Sequence, residues 1–152
     1  MVVSGLLSDA KAQAVQLKRD ALEMESFTRM NLSWSSHLAK AQEISGHINK
    51  MGEIVRDLQM NRSSASFWQE QAIDRILPVL RDLASNVEAT LTYLNEESGR
   101  SLHTPQRREY LISNAELASS LAEIVDSYIE YGRTKERLDA LTDKLEIVEE
   151  KS

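Results

Sequence analysis

Apolar residues return along this chain at intervals of three and four, with charged residues filling the gaps. That period turns one side of an α-helix into an oily stripe, and no stretch shows the alternation of a strand. The most regular part is 67–94. Ile73, Leu80, Val87 and Leu94 recur every seven residues, with Ile76, Leu77, Leu83, Ala84 and Leu91 between them. A stripe this wide needs cover from more than one neighbour.

The spacing predicts a first helix over 8–27 with its seam at Leu7, Ala10, Ala14, Leu17, Ala21 and Met24. The alanines permit close approach of another helix but contribute little burial each. A second seam follows at Trp34, Ala41, Ile44, Ile48, Met51, Val55 and Leu58, offset in phase from the first. Ser26, Thr28, Asn31, Ser33, Ser35 and Ser36 crowd the junction, and such side chains compete for backbone hydrogen bonds and favour caps and turns. A break near 28–33 is therefore favoured over one straight helix with a phase slip.

The third helix is expected over 65–97, capped by Ser64 or Ser66, with a kink at Pro78. Small Gly46 and Gly52 are expected to face that kink. The fourth runs over 105–150 from a Thr104–Pro105 start, with a seam at Leu117, Leu121, Ile124, Tyr128 and Tyr131. It resumes at Leu138, Leu141, Leu145 and Val148. The fold class is thus all-α, a single domain over 1–152. The expected architecture is an up-down antiparallel four-helix bundle with a long C-terminal helix. The alternative is three long helices with overhangs.

Matching levels across the third connection puts Trp68 opposite about residue 134. The last helix then outruns the bundle where its stripe thins at Gly132, Thr134 and Lys135. An exposed leucine seam wants a partner, so Leu138, Leu141, Leu145 and Val148 form a candidate interaction surface. They either close over the bundle end or pair with a second copy.

Composition narrows the function classes. The net charge is −6, with seven basic and seven acidic residues over 1–60, four and six over 61–104, and seven and eleven over 105–152. With no basic face, nucleic-acid binding is not expected. Cysteine is absent, which excludes disulfides and thiolate chemistry, and no apolar run approaches the ~20 residues of a membrane span. Met1 to Gly5 is too short and uncharged for a signal peptide, and reads equally as a natural start or as what remains after removal of one. The compartment stays open, with export the reading if a signal peptide has been removed.

Candidate chemistry is thin. Glu43 and His47 are an i, i+4 pair, and His37 and His103 are the remaining histidines, but no Glu-x-x-His spacing of a di-iron bundle occurs. No metal, cofactor or catalytic residue is expected, since nucleophile elbows, phosphate loops and dinucleotide motifs are all missing. Arg107 and Arg108 read as surface residues that could receive an anion. Trp34, Phe67 and Trp68 read as plugs for the ends of the core, or else as a ligand cleft of a small-molecule sensor. The leading expectation is a non-catalytic interaction or scaffolding bundle that self-associates or takes a protein partner.

One resemblance rests on residues 20–52. The run Asp20-Ala21-Leu22-Glu23-Met24-Glu25-Ser26-Phe27, with Leu32-Ser33-Trp34, His37 and His47-Ile48-Asn49-Lys50-Met51-Gly52, resembles a bacterial family of small helical proteins. Some of its members are exported. The resemblance implies bacterial origin and carries no activity or site residues.

Overall fold

The computed structural model describes residues 2–30, 32–96 and 104–146. Four α-helices follow in order: α1 (Val2–Ser26), α2 (Trp34–Met60), α3 (Phe67–Glu96) and α4 (Pro105–Leu145). No strand occurs among the described residues. Helix α1 packs on α2 and α4, and α3 packs on the same two, so the four stand at the corners of a square. This is the up-down bundle that the short connections predict.

Each start is written in local chemistry. The Ser33 side chain accepts from the Ser36 amide at 3.2 Å and opens α2. Ser66 and Gln69 exchange hydrogen bonds at 3.4 and 2.9 Å, a capping box that opens α3. Thr104 accepts from the Arg107 amide at 3.2 Å, with Pro105 in the first turn of α4. The chain breaks between α1 and α2 through a 3₁₀ turn at Phe27–Arg29, as the clash of phases requires.

Three expectations are corrected. Helix α1 begins at Val2 rather than residue 8, because Val3 extends the seam one step back and is buried with Leu7. Pro78, whose expected kink is not among the three, does not interrupt helix α3 and stands on its exposed side, where water can serve the carbonyl that loses its donor. Gly46 and Gly52 face open space, so neither is there to admit a neighbouring backbone.

The third concerns α4. Its core face is Leu111, Ala115, Ala118, Leu121, Ala122, Val125 and Ile129, while Leu117, Ile124 and Tyr128 are only half-buried. The Lys11–Asp126 ion pair at 2.9 Å sets the register against α1. It brings Ala14 level with residue 123 and Ala21 level with residue 116. Small side chains therefore meet small ones, and α1 and α4 approach closely.

Between α3 and α4 the packing includes a polar clamp. Asn86 donates to Asn114 Oδ1 at 2.7 Å, Asn114 donates to Thr90 Oγ1 at 3.1 Å, and Thr90 donates to the Asn86 carbonyl at 2.8 Å. At the surface, Arg62 grips Asp74 through two bonds of 2.8 and 2.9 Å. These bonds hold the Asp74 carboxyl below its ordinary pKa. Its stabilising effect is therefore full above the ordinary aspartate range and is lost as pH falls through the lowered value. An NMR titration of the wild-type protein is expected to find Asp74 titrating below the ordinary aspartate range, and Arg62→Gln to raise it toward that range.

Candidate functional site

The leucine seam of α4 owes its exposure to helix geometry. Leu117, Ile124, Tyr131, Leu138 and Leu145 are spaced by seven, and seven residues fall short of two full turns by ~20°. The stripe therefore rotates away from the core as it advances. Leu117 and Ile124 still touch the bundle, whereas Tyr131, Leu138, Leu141 and Leu145 are 56, 55, 48 and 61% exposed. Gly132 is the last buried residue of α4. Thirteen helical residues follow, a rod of ~20 Å projecting past the bundle.

Which way the projecting leucines point decides what they can do. At 3.6 residues per turn, the face buried at Leu121, Val125, Ile129 and Gly132 continues through Lys135, Glu136 and Asp139. Those three polar residues line a cleft of about 690 Å³ between the rod and the bundle end, opposite Val2, Ala65, Trp68 and Gln69. Leu138, Leu141 and Leu145 lie roughly 160° away, on the outer side. They do not close over the bundle. Val148 lies outside the described residues.

Charges flank the leucine stripe unequally. By the same geometry Arg137 and Lys144 border one side, while Thr142 borders the other and Asp139 lies round on the cleft side. Lys135, also on that second side, is tied to its own Asp139 at 3.8 Å.

The aromatic residues are not brought together. Trp34 donates from Nε1 to the Leu94 carbonyl at 2.6 Å, at the end where α3 finishes. Phe67 opens α3, 27 residues away and therefore ~40 Å distant, and is 75% exposed. One cleft cannot hold both, so the Trp34/Phe67 site expected from their types does not assemble. Trp68 instead sits over Gly132, edge-on to Tyr131 with ring centres 6.4 Å apart. This matches the level assigned from sequence to within two residues.

Two polar constellations were beyond sequence reasoning because their members come from different helices. Between α1 and α2, the Lys40 ammonium lies 3.1 Å from Glu23, 3.2 Å from Glu43 and 4.0 Å from the buried Asp20. Burial pulls the Lys40 pKa down, but its hydrogen bonds to Glu23 and Glu43 outweigh this and raise it. His47 Nε2 is 3.4 Å from Asp20, and ligand atoms of Asp20, Glu43 and His47 lie within 4.8 Å of one another. Such a set attracts a cation, and the ammonium already supplies the positive charge beside it.

The second constellation is at the bundle end where α2 and α4 begin. His37 is fully buried, edge-on to Phe27, and its Nδ1 accepts from Arg107 Nη1 at 2.7 Å. A guanidinium has no acceptor, so this ring nitrogen carries no proton. Arg107, expected at the surface, is 1% exposed.

No family model, curated protein or solved structure matches the chain. The functional reading therefore rests on these residues.

Proposed function

We propose that this protein is a non-catalytic interaction module that self-associates through the projecting part of α4. The reading is carried by one observation: the leucine stripe past Gly132 faces away from its own bundle. Burying Leu138, Leu141 and Leu145 removes apolar area from water that no residue of the described chain covers. A stripe on the outer side also leaves room for a second bundle opposite the first.

Charge favours the parallel arrangement. An antiparallel pair sets the Arg137 and Lys144 flank against its own copy, and like charges repel. A parallel pair sets that flank against the partner's opposite border, which carries Thr142 and a Lys135 already paired with its own Asp139, so less positive charge is opposed. The two-fold axis then runs along the paired helices, with one bundle on each side.

Light scattering on the full chain is expected to give a dimer mass at micromolar to millimolar concentrations. Replacing Leu138, Leu141 and Leu145 together by glutamate is expected to give a monomer with unchanged helical circular dichroism. A chain ending at Tyr131 should behave likewise. A monomeric full chain, or a dimer that survives the triple replacement, would overturn the reading.

A further inference from the structure

The bundle end opposite the rod holds a charge that no described carboxylate compensates. Arg107 is buried, its Nε has no hydrogen-bond partner, and among the described residues no carboxylate lies within ion-pair distance of it. Its one described side-chain partner is the neutral ring of His37. Taking a guanidinium out of water without an opposite charge costs several kcal/mol in general, so such groups are paired or hold a ligand. Burial pushes the Arg107 pKa below its ordinary value against the raising influence of Tyr93, and the neighbouring positive charge of Arg108 adds a smaller push downward.

Arg107 lines a cavity of about 270 Å³, together with Arg108, Pro105, Thr104 and Thr28. The cavity lies at the N-terminus of the 41-residue α4, where the helix dipole is positive. Thr104 is spent on capping, since it accepts from the Arg107 amide and its hydroxyl meets that of Tyr93. The Thr28 hydroxyl, the Arg108 guanidinium and the free edge of Arg107 remain as donors around the space. Among the described residues the one acidic side chain on the lining, Glu109, is exposed at its rim. Two guanidinium forks with a hydroxyl and a helix start are the donor set that recognises an oxyanion.

We infer that the cavity walled by Arg107, Arg108 and Thr28 binds a small oxyanion of the phosphate or carboxylate class. The volume suits one such group with its nearest atoms and is too small for a large cofactor. The bound anion supplies the missing counter-charge, so binding stabilises this end of the bundle by mass action. This site is independent of self-association, which uses the opposite end.

Thermal unfolding of the full chain in inorganic phosphate, in acetate and in chloride at matched ionic strength tests the inference. The wild-type protein is expected to show a saturable rise of a few °C in phosphate or acetate over chloride, and the anion that saturates at lower concentration identifies the class. Arg107→Met removes the buried charge while keeping an unbranched side chain. It is expected to melt above wild type in chloride and to lose the saturable response. Arg108→Gln, at a less buried position, should keep the fold and weaken the response about tenfold in midpoint concentration. Amide NMR shifts on phosphate addition should centre on Thr28, Gln106 and Arg108, and decide the matter if Arg107→Met fails to fold. No difference between chloride and either anion, an equal response in Arg107→Met, or shifts elsewhere in the bundle would sink the proposal.

Discussion

Replacing Ala14 by leucine is expected to lower the unfolding free energy by about 3 kcal/mol, at the upper end of what overpacking a core usually costs. Ala14 is fully buried on α1, and the register set by Lys11 and Asp126 places it level with Ala122 of α4. Three added carbons have no void to enter there. They must push two long helices apart along a seam that also contains Ala10, Ala21, Ala115 and Ala118. Separation at one level opens gaps at its neighbours, so contacts beyond the mutated site are lost as well. For a chain of this size the melting temperature should fall by about 6–12 °C, measurable by calorimetry. Leucine is nearly as good a helix former as alanine, so intrinsic propensity does not confuse the sign. A variant as stable as wild type would show that α1 and α4 do not meet through their alanines.

Gly132→Val is expected to displace Trp68 and to cost about 2 kcal/mol. A β-carbon at residue 132 would lie 2.2 Å from one ring atom of Trp68 and 2.5 Å from another, well inside contact distance. Helix propensity alone would favour a change away from glycine by a few tenths of a kcal/mol, so a net loss reports the clash. Trp68 can swing toward the cleft, at the expense of its edge contact with Tyr131 and of its packing on the core. Two readouts separate these effects. Chemical denaturation gives the stability change, and tryptophan emission should shift to the red as the indole meets water. Trp34 lies at the far end, bonded to Leu94, and its contribution should not change. Unaltered emission together with unaltered stability would remove Gly132 as the seat of Trp68.

The second prediction bears on the proposed self-association, because it concerns the base from which the α4 rod projects. Trp68 on Gly132 is the last fixed point before Leu138, Leu141 and Leu145 leave the bundle. Loosening it should tilt the rod without removing its leucines. Gly132→Val should therefore weaken dimer formation less than glutamate at the three leucines does.

Much of the architecture could be read along the chain. The seams of α1, α2 and α3 are buried where their spacing placed them, from Leu7 to Met24, Ala41 to Leu58 and Ile73 to Leu94, with Leu77, Ala84 and Leu91 of α3 only half-buried. The break between α1 and α2, the Ser66 cap, the Thr104–Pro105 start and the overrun of α4 were equally legible. All of these depend on residues within a turn or two of one another, where period and capping chemistry act directly.

Helix α4 shows where that legibility stops. It carries two apolar faces, one built largely from alanines with Leu111, Leu121, Val125 and Ile129, and the other from leucine, isoleucine and tyrosine side chains. Taken alone the larger residues look like the core, since they would bury more area. The tertiary structure chose the alanine face, because α1 presents alanines at the same levels and only small residues let the two backbones come close. The heavier stripe was thereby left to rotate outward by ~20° per heptad until no described residue of its own chain covered it. Burial of Arg107 against His37 was decided in the same way, by residues 70 positions apart whose meeting no local pattern encodes.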